Sequence, residues 1–212
     1  MQKAFANFIF ALFLLLTVQA TQAQWRQTMK WKAIIATGIS YPFTDGFVQG
    51  SFAQPVNFPT VNIGIQHMFR QDMGARVDYG FNRFANGKES AEFKINYSRF
   101  NLQFVYDPTM HLKFLPQRTA VALHAGPGIS LSKPLGGISD RNQTFANVLG
   151  GFELHYAINQ RLSVFGDFSY IWGLTSLEDY NPPLSGLGAF NGSLFTITVG
   201  LSISLSGCQY CD

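Results

Sequence analysis

The segment from Phe195 to Leu205 alternates large apolar residues with small or weakly polar ones over its whole length. Successive side chains of a β-strand point to opposite faces of the sheet. One face of this segment therefore carries six bulky apolar residues, and the other carries five Thr, Gly and Ser residues. Seven further segments alternate in a similar way, so the sequence predicts an all-β fold whose strands have two unlike faces.

The alternation predicts eight strands. Their approximate bounds are 31–41, 60–69, 73–84, 91–106, 119–131, 144–158, 161–173 and 195–205. The fourth strand changes phase, because Phe93 and Tyr97 occupy odd positions whereas Phe100 and Phe104 occupy even ones. A β-bulge near Ser98-Arg99 would return all of these side chains to one face.

The N-terminal segment has the features of a secretory signal peptide. Lys3 provides a positive start, and Phe8 to Leu16 is an unbroken apolar run. Either Val18-Gln-Ala20 or Thr21-Gln-Ala23 offers a small-residue cleavage site. A retained N-terminal anchor is the alternative, but the apolar run is short for a membrane-spanning helix. The predicted organisation is a signal peptide over 1–23, a short lead over 24–30, a barrel over 31–206 and a tail over 207–212.

The polar faces of the strands are unlike a water-exposed surface. Charged residues make up only 13% of the chain, against about 25% in ordinary globular proteins. The polar faces consist mainly of Gly, Ser and Asn with isolated charges, which suits a narrow interior better than a solvated exterior. The sequence therefore predicts an eight-stranded antiparallel up-and-down transmembrane β-barrel, with apolar residues facing lipid and polar residues facing the lumen.

The connections between strands support a barrel with two different ends. The links 70–72 and 159–160 are short, whereas 42–59 and 175–192 are long and rich in Pro, Gly, Asn and Asp. Outer-membrane barrels have short periplasmic turns and longer external loops. Two links are exceptions. The link 107–118 is long on the side where short turns are expected, and 85–90 is short on the side where long loops are expected.

Charged residues on the polar faces are candidates for an ionic network in the lumen. Charges confined in a narrow space must be paired and hydrogen-bonded. The predicted network consists of Lys32, Arg76, Asp78, Glu92, Lys94, Glu153 and Asp167, with Arg99 undecided because it lies at the expected bulge. Such a network predicts a closed lumen rather than a diffusion pore.

The histidines offer little evidence of catalysis. His155 and Glu153 are two residues apart on one strand face, so a lipid-modifying enzyme resting on this pair is one alternative function. Such neighbours are more often part of a hydrogen-bond network, and common hydrolase, metalloprotease and P-loop motifs are absent from the sequence. The sequence therefore predicts a protein without catalytic residues, metal or cofactor.

Cys208-Gln-Tyr-Cys211 is the only cysteine pair and belongs to the tail. In an exported chain this pair favours a local disulfide between Cys208 and Cys211, with free thiols or a metal or redox role as alternatives. The tail is expected on the periplasmic side, because an even number of strands places both chain termini on that side of the membrane.

Aromatic residues lie near many strand ends and favour two girdles at the membrane interfaces over simple packing. The candidates are Trp31, Tyr41, Phe69, Phe84, Tyr106, Tyr156, Tyr170 and Trp172. The formal net charge is only +3 and there is no block of Lys or Arg, so a nucleic-acid partner is not expected.

The segments 58–69, 74–84 and 91–103 resemble the barrel half of the outer-membrane protein A-like family. The resemblance covers roughly 31–206 and implies an eight-stranded barrel in a bacterial outer membrane. Many members also carry a C-terminal peptidoglycan-binding domain. This sequence ends at Asp212, so anchoring by such a domain is not expected.

Taken with the strand pattern, the resemblance predicts a non-enzymatic outer-membrane protein of a Gram-negative bacterium. Its role would be structural, or binding of an extracellular ligand through the external loops. The expected partners are outer-membrane lipid and the periplasmic chaperone and barrel-assembly machinery. A soluble periplasmic lipocalin-like carrier, with the apolar faces turned inward, is the alternative from another class.

Overall fold

A computed structural model describes residues 30–47, 51–135, 142–174 and 190–205. Within these residues the chain forms eight strands. They are β1 (Trp31–Pro42), β2 (Asn57–Met68), β3 (Met73–Ala85), β4 (Lys94–Tyr106), β5 (Thr119–Pro134), β6 (Gln143–Ala157), β7 (Leu162–Gly173) and β8 (Leu194–Ser204). No helix in this part of the chain is long and apolar enough to cross a membrane.

The eight strands form one closed barrel in which each strand pairs antiparallel with its neighbours in sequence. Closure is made by β1 and β8, which pair from Lys32↔Ser204 to Pro42↔Leu194. The barrel leaves no sheet edge unpaired, as a strand surrounded by lipid requires. The predicted fold class and strand number are confirmed.

The strand faces point as the alternation predicts over most of the barrel. In β8, Val199 is 60% exposed on the outside, whereas Thr198 is 1% exposed and faces the lumen. The other strands present a similar apolar exterior, which includes Ile35, Ile63, Ile65, Val77, Phe100, Leu102, Ile129 and Leu154. This arrangement is the reverse of a soluble carrier, whose apolar faces would meet inside.

The predicted β-bulge at Ser98-Arg99 is wrong. β3 and β4 pair without a register shift from Met73↔Tyr106 to Ala85↔Lys94. Odd-numbered residues of β4 therefore point inward along the whole strand, and Arg99 faces the lumen. The register shift that the barrel does contain lies between Gly38 and Ser40, where β1 meets the start of β2.

The phase change in β4 marks a change of surroundings inside the barrel. The end at which 43–56 and 86–93 connect the strands is called the loop end. Here the lumen is apolar, and residues from five strands and three connections form an aromatic plug. Its members are Phe47, Ala53, Phe84, Phe93, Ile95, Tyr97, Phe145, Leu149, Ile171, Phe190 and Leu194. The expectation that Phe84 joins a membrane girdle is therefore wrong, because its side chain is fully buried in the plug.

Phe47 and Phe190 lie outside the strands and pack into this plug. They form an isolated β-bridge, and their rings lie 4.7 Å apart. The Phe190 ring also packs edge-on against Phe84 and Tyr97, at 5.1 and 5.8 Å. The connections thus fold over the barrel mouth and contribute their own side chains to its closure.

The opposite end, called the turn end, holds the start of β1 and the end of β8 together with the connections 69–72, 107–118 and 158–161. The longest of these connections begins with a short 3₁₀ helix, Pro108–His111. The Asp107 side chain caps its N-terminus by accepting a hydrogen bond from Thr109 N. The predicted signal peptide and the tail with Cys208 and Cys211 lie outside the described residues.

The outward face of β8 gives a direct test of the lipid assignment. Val199 lies at the middle of the strand and points outward, so Val199→Lys should destabilise the barrel in bilayers by about 2–4 kcal/mol. Ser202→Gln is the control, because Ser202 faces a cavity at the turn end that has room for a longer polar side chain. Urea unfolding in phospholipid vesicles measures both, and equal losses would contradict the assignment.

Candidate functional site

Ionisable side chains cluster at mid-depth in the lumen, between the aromatic plug and the turn end. Arg76 and Asp78 project inward from β3, Arg99 from β4, and Glu153 from β6. Each sits at an inward position of a strand whose other face is apolar, so the barrel wall itself buries these charges. Glu153 and Arg99 are only 1% exposed.

Arg76 and Glu153 form a two-pronged ion pair across the barrel. Arg76 Nη1 donates to Glu153 Oε1 at 2.5 Å and Nη2 donates to Oε2 at 2.8 Å. Arg76 Nε and Nη2 also donate to Gln66 Oε1, at 3.1 and 2.7 Å. This geometry satisfies both carboxylate oxygens at once, which is the arrangement that makes a buried pair tolerable. It ties β2 and β3 to β6.

Arg99 forms the second cationic centre of the lumen. Its Nη2 donates to Asn62 Oδ1 at 2.9 Å and lies 3.9 Å from Asp78 Oδ2. Its Nη1 donates to Asn82 Oδ1 at 3.2 Å. Gly80 makes room for this group, because a Cβ at that position would overlap the guanidinium. The small residue is therefore needed for the Arg99 contacts.

His124 continues the polar network from Asp78 to the far wall. Gln103 donates to Asp78, and its Oε1 lies 2.8 Å from His124 Nδ1. His124 Nε2 lies 3.3 Å from Asp167 Oδ1, which also accepts from Ser169 Oγ at 2.7 Å. The chain of contacts therefore runs from β3 through β4 and β5 to β7.

The two halves of the polar network meet at mid-depth. One ligand-type atom from each of His124, Glu153 and Asp167 lies within 4.8 Å of the others. The space left between these groups and Arg99 is only about 20 Å³, about the volume of a single water site. At this level the lumen is filled by side chains, as expected for eight strands.

The structure divides the predicted ionic network. Arg76, Asp78, Glu153 and Asp167 lie together in the lumen, and the undecided Arg99 lies among them. Glu92 and Lys94 are wrongly assigned, because both are exposed outside the barrel at the loop end. Their assignment depended on the bulge in β4; without it their side chains point outward. Lys32 faces inward, but it lies near the turn end and forms no ion pair with these residues.

The sequence does not identify the parts played by Gln66, Gln103 and His124, since uncharged polar residues are common on every inward face. His155 and Glu153 are in contact, with His155 Nε2 2.9 Å from Glu153 Oε2. The other ring nitrogen of His155, Nδ1, lies 3.4 Å from Ser163 Oγ, and the ring stacks on Phe165 at 5.0 Å. Serine, histidine and glutamate thus follow one another in the order of a hydrolase triad.

The mid-depth cluster does not suit a metal ion, although His124, Glu153 and Asp167 are ligand types for zinc. Both Glu153 oxygens accept from Arg76, whose positive charge would lie beside the ion. The donor set therefore matches an ion-paired structural network better than a metal centre.

A wide cavity opens below the network at the turn end. Its volume is about 610 Å³, and it lies between inward-facing residues of the strands and the connection 107–118. His155 and Ser163 reach it from β6 and β7, and Lys32 reaches it from β1. Among the described residues, side chains thus fill the lumen at mid-depth and in the aromatic plug, whereas the turn end contains a wide cavity.

Comparison with solved structures shows which known proteins share this architecture. Neisserial surface protein A aligns with a TM-score of 0.54 at 14% identity, over 82% of this chain and 96% of that protein. A major outer membrane protein from Thermus thermophilus aligns with a TM-score of 0.50 at 12% identity, over 82% and 98%. The chain has the fold of the eight-stranded outer-membrane β-barrels. No protein-family model matches the sequence, and no curated protein matches it.

The fold and the apolar exterior both indicate that this β-barrel lies in an outer membrane. A closed barrel with exposed Ile, Leu, Val and Phe around its middle requires a lipid environment, and strands that cross as barrels are typical of bacterial outer membranes. The expectation drawn from the family resemblance, an eight-stranded barrel of the bacterial outer membrane, is confirmed.

The Arg76–Glu153 pair should be essential for stability. Glu153→Gln leaves a buried guanidinium without its counter-charge and should cost about 3–5 kcal/mol of unfolding free energy. The double variant Arg76→Gln with Glu153→Gln should lose less than Glu153→Gln alone, since no charge is then left unpaired. Urea titration in bilayers measures all three proteins.

Glu92→Gln is the matched control, because the same change is made at an exposed glutamate. It should shift stability by no more than about 0.5 kcal/mol. Similar losses for Glu92→Gln and Glu153→Gln would contradict the assignment of Glu153 to a buried ionic network.

Proposed function

We propose that this protein is a closed, non-conducting outer-membrane barrel that serves as a structural element of the envelope and presents its loop end for binding. The observation that carries the proposal is the double filling of the lumen, by the polar network at mid-depth and by the aromatic plug above it. An eight-stranded barrel filled in this way has no continuous path for solutes.

The orientation follows from the same architecture. We assign the turn end to the periplasm. Both chain termini of an even-stranded barrel lie at the same end, and short turns face the periplasm. The loop end then faces the exterior. There the described parts of 43–56 and 86–93 pack on the plug, for example through the bridge between Ala53 and Asn86. Loops fixed on a rigid barrel are a common platform for binding.

Single-channel recording in planar bilayers tests the closed lumen. The wild-type barrel should give no stable conductance steps, because two seals lie in series along its axis. Arg76→Ser with Glu153→Ser removes one seal and Phe84→Ala with Phe190→Ala weakens the other. Each pair alone should stay silent, and the four changes together should conduct.

Large, stable steps from the wild-type barrel would overturn the proposal. Folding of every variant is checked beforehand by its heat-modifiable migration in gels. A variant that does not fold is replaced by the milder Arg76→Gln with Glu153→Gln, or by Phe84→Leu with Phe190→Leu.

A second candidate is an ester hydrolase that uses Ser163, His155 and Glu153 at the edge of the turn-end cavity. The contacts of 3.4 and 2.9 Å on the two sides of His155 favour it. Two features weigh against it. Arg76 already neutralises the Glu153 carboxylate, and the serine contact is long for a hydrogen bond. For these reasons the non-catalytic function is the main proposal.

Labelling with a fluorophosphonate separates the two candidates. A hydrolase would be labelled in the folded wild-type protein and in Ser202→Ala, but not in Ser163→Ala. Ser202 is the matched control because it lines the same cavity. We expect no labelling of any of the three proteins, and labelling lost only in Ser163→Ala would establish the hydrolase.

A further inference from the structure

The turn-end cavity has the size of a ligand site. Its volume of about 610 Å³ falls within the range of about 300–1,000 Å³ that is typical of small-molecule pockets. The strands provide a floor that includes Gln66, Ser202 and Ser204, and the connection 107–118 covers part of the opening. The polar network reaches this space through Gln66 and His155, and the aromatic plug lies at the other end of the barrel.

The charge around the cavity is strongly one-sided. Lys32, Lys113, Arg118 and Arg161 line it, whereas Asp107 is the one acidic residue among the described residues of its lining. Lys32 is partly buried, and within 30–47, 51–135, 142–174 and 190–205 its ammonium group has no hydrogen bond or ion pair, although Asp107 and Glu153 attract it from a longer distance. An ammonium group inside a barrel that lacks such a partner is stabilised when an anion binds to it.

The covering connection contributes apolar surface. Met110, Leu112 and Leu115 face the cavity from 107–118, and Val105 and Val121 add apolar walls from β4 and β5. The cavity thus combines cationic side chains with aliphatic ones. This combination matches a molecule with one anionic group and one alkyl chain. A metal cation would be repelled, and a plain inorganic anion would leave the apolar surface unused.

We propose that the turn-end cavity binds a single-chain amphipathic anion, with its carboxylate or phosphate on Lys32 and its alkyl chain against Leu112 and Leu115. The site is open to the periplasm in the orientation assigned above, but its ligand chemistry does not depend on whether the lumen conducts. Failure of the closed-lumen proposal and failure of this one are therefore separate results.

Methionine methyl NMR of the full barrel in zwitterionic nanodiscs gives a local readout. Met68 and Met110 line the cavity, whereas Met73 lies at the same end of the barrel outside it. Decanoate should shift the Met68 and Met110 signals with saturation, and leave the Met73 signal as the control for partition into the bilayer. Decyl phosphate should act in the same way if either anionic head is accepted, and inorganic phosphate alone should bind far more weakly.

Charge selectivity decides the proposal. Decyltrimethylammonium, with the same chain and the opposite charge, should not saturate the cavity signals. Lys32→Gln should weaken decanoate binding about tenfold, the expected loss of one charge-assisted contact. Lys94→Gln, an exposed lysine at the loop end, should leave it unchanged.

Leu112→Ser provides a second variant in a connection outside the strands, so the barrel should fold normally. It should weaken decanoate more than hexanoate, because the longer chain makes more of the lost apolar contact. Equal binding of decanoate and decyltrimethylammonium, or no effect of Lys32→Gln in a folded barrel, would overturn the proposal. Saturation of the Met73 signal in parallel with Met68 would also overturn it.

Discussion

Backbone hydrogen bonding in lipid is the constraint on which the rest of this structure depends. Every strand needs a partner on both sides, and the pairing of β1 with β8 supplies the last one. Closure with eight strands gives a lumen so narrow that inward side chains from facing walls touch. Arg76 therefore reaches Glu153 from the other side of the barrel, and the charges that the wall buries can neutralise one another.

The strand number, their order and the lipid face of β8 could be predicted, because alternation is a local property that survives folding. The error in β4 shows where this reasoning ends. Phe93 and Tyr97 are apolar, so the pattern alone assigns them to lipid, although they pack against other aromatic rings inside the barrel. The misassignment of Glu92 and Lys94 follows from that single step, since neighbours on a strand exchange faces together.

The remaining part of the candidate site depends on contacts that no sequence pattern specifies. Gln66 and His124 become network residues only because the barrel register places them beside Arg76 and Asp167. Likewise, 107–118 could be recognised as unusually long for its side of the barrel, but not as the cover of a cavity. Its role arises from the position of its apolar residues above Lys32, which the fold alone determines.

The barrel interior changes character along its axis, and this gradient assigns different tasks to its two ends. In the part of the chain that the structure describes, aromatic rings fill the loop end and ion pairs fill the middle, and both are packed side chains. The turn end has space, a lysine without an ion partner among the described residues, and aliphatic cover. The two proposals therefore concern separate ends of the barrel, with an amphipathic anion at the turn end and a partner of the loops at the loop end.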